Sequence, residues 1–365
     1  MANMEKEARI IAMIQQNPFI SQQVIADELS MSRSAVAGHI SNLMKSGRIK
    51  GRAYVLPEMK GIVCIGGAHL DRKASCKAPI RYETSNPVSV SEMCGGVVRN
   101  ISENLGRLGS NVSLISAVGK DKAGDIVLEK TAQAGVDTTQ VKRLSQEATG
   151  TYTALLDAKG DLAVAMADMA IYEQMTIAFI EEKWSHIAHA EWMVLDTNIP
   201  EDTLHYCIDR AAQESIPVVI DPVSSAKAKK LHQRLKHIHT ILPNREEAEV
   251  LAGMPINAIA DCEQAAQRML RMGVRNVIIT LGGDGAYVAS KTVKQHLPVQ
   301  ATTVVDVTGA GDAFSAGVLY GLSHNKDLLE ACRYGMTIAA LTVQTSTSVH
   351  VHLSKEKIHN HVVAL

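Results

Sequence analysis

The sequence predicts an α/β protein: a doubly wound, mostly parallel sheet carrying a small β lid, preceded by a small helical domain. Three observations predict it. From Gly61 onward, short apolar runs rich in β-branched residues alternate with helical stretches, the pattern of strands buried on both faces. Polar or glycine-rich residues follow most of those runs, at the strand ends where such sheets bind ligands. The first 57 residues lack this alternation and carry seven Lys/Arg against four Asp/Glu, although the whole chain has a net charge of -1. With 365 residues, one large domain plus a small one is expected, divided as 1–57 and 61–365. Apolar residues make up 46% and aromatic residues 4%, so Ala, Val, Ile, Leu and Met must build the core.

Composition also excludes several classes. The six cysteines never stand in C-x-x-C spacing, which argues for reduced thiols rather than a disulfide or zinc framework. No apolar run approaches the roughly 18 residues that span a bilayer, and charged residues precede the first apolar run. A cytoplasmic protein without membrane contact is expected.

In the N-terminal unit, residues 5–16 place Ala8, Ile11, Ala12 and Ile14 at helical spacing, ended by Asn17-Pro18. Ser21 caps a second helix over 22–29, with Val24, Ile25, Ala26 and Leu29 on one side. Ser32 caps a third, with Val36, Ile40, Leu43 and Met44 facing inward and Gly47 ending it. Residues 48–56 alternate like a small hairpin. Three helices, a tight turn and a basic hairpin resemble a winged helix-turn-helix DNA-binding domain. Ser32, Arg33, Ser34, Ala37, His39 and Ser41 are its candidate groove-facing residues, and Lys45, Arg48, Lys50 and Arg52 its phosphate contacts. A protein-interaction module is the alternative.

In the large unit, strands are expected over 61–67, 112–118, 192–196, 217–221, 240–242 and 276–281, and helices over 98–108, 126–134, 201–212, 245–252 and 262–272. Residues 87–93 and 151–166, the latter turning at Lys159-Gly160-Asp161, read as strands outside the main sheet. They define a lid over about 71–94 and 151–168. The last strand end is the most informative: Asp306-Val307-Thr308-Gly309-Ala310-Gly311-Asp312, followed by a strongly apolar helix. Free N–H groups of Gly309, Ala310 and Gly311 at a helix start can hold a phosphate, and Asp312 can deprotonate an attacking hydroxyl. A glycine turn with Asp312 as helix cap is the bland alternative.

Taken in order, the strand-end motifs resemble those of the ribokinase-type carbohydrate and nucleoside kinases, the PfkB family, from about residue 61 to the end. The family's C-terminal signature corresponds to residues 306–319, and its N-terminal signature to Gly95, Gly96, Asn100, Ser102, Gly109 and Gly119. Val98 departs, standing where the pattern has a small residue. Within the family, Ser85-Asn86-Pro87, Arg99-Asn100, Asp196-Thr197-Asn198-Ile199, Asp221-Pro222-Val223-Ser224 and Pro243-Asn244-Arg245 are similar to the pseudouridine kinases. His69, Ala167 and Ala170 stand where that pattern has asparagines.

The resemblance implies ATP- and Mg²⁺-dependent phosphorylation of the 5′-hydroxyl of pseudouridine or a related nucleoside. A ribose-type sugar kinase, and a transcription regulator using the fold as a ligand sensor, are the alternatives. It assigns Asp312 as base and Gly309, Ala310 and Gly311 as anion hole. Substrate contacts fall to Asp71, Gly95, Gly96, Arg99, Asn100, Asp168, Asn198 and Lys227. Nucleotide contacts fall to Asn244, Thr280, Gly282, Gly283 and Gly285, and water-mediated Mg²⁺ binding to Glu247. Asp306 and Thr308, with backbone of Val343, Ser346 and Ser348, would surround a monovalent cation such as K⁺. A homodimer is expected, because winged helices read paired half-sites and lid sheets of related kinases pair.

Overall fold

The computed structural model describes residues 2–50, 61–232, 234–299 and 302–362. In the N-terminal unit, helices Ala2–Gln16, Gln22–Glu28 and Arg33–Lys45 enclose Ile10, Ile14, Ile25, Val36, Ile40, Leu43 and Ile49. Ser21 and Ser32 cap the second and third helices, accepting from the N–H of Val24 and Ala35. The inner stripe of the first helix differs from expectation. Ile10 and Ile14, one turn apart, are fully buried, whereas Ala8 and Ala12 are exposed. Large side chains outcompete alanines for the inner face because they remove more apolar surface from water. Val24 and Met44, expected inside, are exposed. Most of the expected hairpin, Arg52 included, lies outside the described residues.

The strands of the large domain are β1 (Gly61–Ile65), β2 (His69–Cys76), β3 (Val88–Gly95), β4 (Val112–Ile115), β5 (Ala117–Gly119), β6 (Lys142–Leu144), β7 (Thr151–Leu156), β8 (Leu162–Asp168), β9 (Ala190–Asp196), β10 (Val218–Asp221), β11 (Ile238–Ile241), β12 (Asn276–Thr280), β13 (Ala286–Ala289) and β14 (Lys294–Leu297). Eight form the main sheet in the order β14-β13-β12-β11-β10-β9-β1-β4. From β4 to β12 every pairing is parallel. Alternate residues of β1 enter different cores: Val63 and Ile65 on one face, Ile62 and Cys64 on the other. Helices cover both faces, so the strands read as continuous apolar runs. The antiparallel edge β13–β14 has no counterpart in the expected strands. The turn from β12 into β13 depends on Gly285, at φ 92°, where a Cβ would lie 2.0 Å from the Leu297 carbonyl oxygen.

The lid is a second sheet, ordered β3-β2-β7-β8. Asp71 is opposite Met93 and beside Tyr152, and Lys73 is opposite Ser91 and beside Ala154. Side chains alternate along β2, so Asp71 and Lys73 share one face and Arg72 takes the other, where it pairs with Glu92. Val90, Leu162, Val164 and Met166 of the lid are exposed.

Candidate active site

The turn before helix Ala310–Ser323 takes its shape from Gly309, at φ 77°, whose hydrogen occupies a place where a Cβ would be 2.0 Å from the Ser348 carbonyl oxygen. A Cβ on Gly311 would meet nothing within 4 Å, so this part of the turn is open to an approaching group. Asp312 follows in the first helical turn, half-buried. Burial pushes its carboxyl up to about 7, with Asp196 and Asp71 adding to the rise, against the Asn100 hydrogen bond and the Arg99 charge. A carboxylate so placed exchanges protons near neutral pH, as a general base must.

Asn100 connects this carboxylate to the glycine loop of residues 94–96. Its amide donates to Asp312 Oδ2 at 2.6 Å, while its oxygen accepts from Arg99. Arg99 corrects a sequence expectation. Its side chain is 1% exposed and faces inward, donating to the carbonyls of Cys94 and Gly95, to Asn100 and to Glu103. With its donors engaged inside the protein it is no substrate contact; it fixes the loop and Asn100 from behind. Burial pushes the Glu103 carboxyl up, but Arg99 and Arg107 outweigh it and hold it below the usual range.

Asp71 lies close to the same loop: a Cβ on Gly95 would be 2.2 Å from its Oδ2. His69 Nε2 approaches Asp71 Oδ1 at 3.2 Å, and His69 Nδ1 is 2.9 Å from the Tyr172 hydroxyl. The histidine that replaces the expected asparagine therefore props the carboxylate. Val98, the departure from the family pattern, packs in the hydrophobic core at 0% exposure. Asn198 accepts from the Lys227 ammonium and donates to Asp196. Burial lowers the Lys227 ammonium from its ordinary value. Asp168 does not join this group. It is exposed and pairs with Thr151, beside Leu70, which puts it on the lid face opposite Asp71.

Asn244 and Glu247 form a capping box at the start of helix Arg245–Ala252, with reciprocal side-chain to N–H bonds of 2.9 Å. Thr280 reaches them through a bridge to Asn244. Gly282 and Gly283 have no neighbour where a Cβ would project, leaving that side of the loop open. Glu247 is 3% exposed and its carboxyl is raised by burial. Asp221 is raised further, first by burial and then by the charges of Asp312 and Glu247. Among the described residues no three His, Cys, Asp or Glu side chains are grouped to hold a metal directly. The pair Asp221 and Glu247 instead fits a hydrated divalent cation such as Mg²⁺, which keeps several waters.

The residues expected around a monovalent cation fit it poorly. Asp306 Oδ1 accepts from the Thr308 N–H and hydroxyl, and Oδ2 is 3.1 Å from the Lys73 ammonium. The Val343 carbonyl accepts from the N–H of Val305 and Asp306.

Residues 59–353 match the pfkB family carbohydrate kinases. The chain belongs to that family. Residues 5–50 match the winged helix-turn-helix DNA-binding family, so the kinase carries a winged helix-turn-helix domain ahead of its catalytic domain. The kinase is 36% identical to the uncharacterized sugar kinase YeiI of Escherichia coli strain K12 over 345 residues, 94% of each chain. It is 34% identical to pseudouridine kinase of the same organism over 295 residues, 80% of this chain and 93% of that one. A carbohydrate kinase from Agrobacterium tumefaciens superposes with a TM-score of 0.75 at 33% identity, covering 84% of this chain and 97% of its own. The kinase is thus a phosphotransferase with an alcohol group as acceptor.

Three residues of the kinase site escaped sequence reasoning as site residues. Asp196, fully buried, accepts from the N–H of Gly67, Val98 and Asn198 and ties three loops together. Asp221 and Lys73 are the others. The position of Asp196 and Asp221 at strand ends was a usable signal; nothing local distinguished Lys73. In the winged-helix domain, Arg33, Ser34, Ser41, Lys45 and Lys50 are exposed and Ala37 is half-buried. His39 and Arg48 turn toward Glu7 of the first helix, at 3.6 and 3.1 Å. Ser32 spends its hydroxyl on the cap and on Ser34.

Proposed function

We propose that the kinase uses ATP and Mg²⁺ to phosphorylate the 5′-hydroxyl of pseudouridine or a closely related nucleoside. The Asn100–Asp312 hydrogen bond carries this reading, because it joins a hydroxyl-recognising loop to a base whose carboxyl titrates near neutrality. Asp71 and Asn100 would bind sugar hydroxyls, a contact that rejects analogues lacking them. Asp312 takes the proton of the attacking hydroxyl, and the N–H groups of Gly309, Ala310 and Gly311 would receive the charge on the transferred group, that of Ala310 by releasing the Val307 carbonyl to which it donates at 3.2 Å. Such donors are typically worth roughly 3–4 kcal/mol each. Mg²⁺, held through water near Asp221 and Glu247, would neutralise phosphate charge. A protein described as Ribokinase II of Escherichia coli, 20% identical, has been solved with ATP and Mg²⁺.

The pseudouridine assignment is supported by the 34% identity to pseudouridine kinase. A ribose-type acceptor is the competing reading, supported by the sugar-kinase description of YeiI. An ATP-consumption panel of pseudouridine, uridine, inosine and ribose decides between them. Pseudouridine should have the highest kcat/KM; a preference for free ribose would overturn the nucleoside assignment.

The winged-helix domain would couple this enzyme to transcription. The near-complete alignment with YeiI extends into that domain, so the two modules recur together. The exposed apolar residues Val90, Leu162, Val164 and Met166 on the lid suit a homodimer, which would present two winged helices to paired half-sites. Sedimentation of the full chain tests this; a monomer at micromolar concentration would count against it.

A further inference from the structure

The acidic group beside the anion hole already has a cation, and it comes from the lid. Lys73 and Asp306 are 233 positions apart in sequence, yet the ammonium lies 3.1 Å from Asp306 Oδ2. Both side chains are partly shielded, at 32% and 26% exposure. Lys73 sits two residues beyond Asp71 on the same lid face, so it and the hydroxyl-binding carboxylate move together. Asp306 in turn anchors the turn leading to Gly309 through two bonds to Thr308. The Val343 carbonyl, the other expected oxygen with clear geometry, is engaged by two N–H groups.

We propose that Lys73 is a positioning residue that takes the place of a monovalent cation: its ammonium neutralises Asp306 and steadies the anion-hole turn only while the lid is closed over substrate. As a stabilising contact the pair is minor, because partly exposed ion pairs gain little over their hydrated charges. Its consequence is positional. A diffusible K⁺ would hold the turn whether the lid is open or closed, whereas a charge on β2 arrives only with Asp71. Phosphoryl transfer is thereby tied to closure, and the enzyme needs no K⁺.

This inference rests on the kinase reading, and one arm of its test is independent of substrate. Melting temperature of the full chain is measured in KCl and in choline chloride at equal ionic strength, for the native protein and for Lys73→Gln and Lys73→Arg. The native protein and Lys73→Arg should melt alike in both salts, while Lys73→Gln, with Asp306 freed, should melt higher in KCl. In the second arm, with Mg²⁺, ATP and the best acceptor of the substrate panel, native kcat should be equal in the two salts. Lys73→Gln should lose tenfold or more in choline chloride with little change in nucleoside KM, regain part of it in KCl, and be matched to native by Lys73→Arg. A native enzyme that requires K⁺, a Lys73→Gln variant unchanged in both salts, or a loss that K⁺ leaves unrestored would each overturn the proposal. If no acceptor is found, the nucleoside reading fails while the melting arm still decides the role of Lys73.

Discussion

Replacing Asp312 by Asn should stabilise the resting enzyme while disabling it, and the pH dependence of the gain distinguishes this from an ordinary surface effect. The native carboxyl is pushed up to about 7 from its ordinary value of 3.8, chiefly by burial. Between these values the folded protein keeps a proton that the unfolded chain has lost. Stability therefore falls as pH rises through this window. A shift of about three units corresponds to about 4 kcal/mol at about pH 8, and to about 1 kcal/mol at about pH 4.5. An Asn is neutral, near-isosteric and able to accept the Asn100 hydrogen bond, so it should recover those amounts. With an unfolding entropy of about 2.1 cal/mol/K per residue, the gain at about pH 8 corresponds to roughly 6 °C in Tm. Scanning calorimetry of both proteins at the two pH values measures it. Coupled assays should show kcat lowered by about 10²–10⁴, the usual range for a lost general base. The reasoning fails if the variant is equally stable or less stable at the higher pH, or if its kcat is native.

For the native enzyme, kcat/KM should rise about tenfold per pH unit up to about 7 and then level, as Asp312 loses its proton; a flat profile from pH 5 to 7 would exclude it as base. Arg99→Met should cost about 3–5 kcal/mol, because it leaves the buried Glu103 carboxylate with Arg107 alone and frees the loop carbonyls of Cys94 and Gly95, and urea unfolding will read it. Gly309→Ala places a Cβ against the Ser348 carbonyl at positive φ, so a loss of about 1–3 kcal/mol and at least about tenfold in kcat is expected from calorimetry and assay. On duplex DNA, Lys45→Ala and Lys50→Ala should each reduce the salt slope of binding by about one, whereas Arg48→Ala should do less because Arg48 pairs with Glu7.

Much of this architecture was legible because two periodicities dominate the sequence. The parallel strands announce themselves as unbroken Val/Ile runs, and their glycine-rich ends mark the ligand side before any contact is known. In the lid, residues 87–93 and 151–166 were legible as strands outside the main sheet, whereas β2 between His69 and Cys76 was not. The edge hairpin β13–β14 was harder: four-residue strands around a tight turn carry little periodic signal. Side-chain direction was the least legible feature. Arg99 was expected to touch substrate, and only the loop carbonyls that receive its donors show that it faces inward. Asp168 was misplaced by the same blindness, since a strand residue's face depends on register with a partner that the local sequence does not name.

Asn244 and Glu247 show why the bland and functional readings need not compete. The pair is a helix cap by its hydrogen bonds, yet capping is also what holds the Glu247 carboxylate buried and oriented near Asp221. Burial raises the proton affinity of Asp221, Glu247 and Asp312 alike, and the charges of the last two raise Asp221 further. Inward cations offset this only in part: Arg99 lowers Asp312 but is committed to Glu103 and the loop, Lys227 to Asn198, and Lys73 to Asp306. The resting site therefore holds surplus carboxylates that favour protonation. A hydrated divalent cation brought in with a nucleotide would remove that preference and leave Asp312 ionised at the pH where it must act. The carboxylates that destabilise the free protein are thus the same groups that a divalent cation would neutralise.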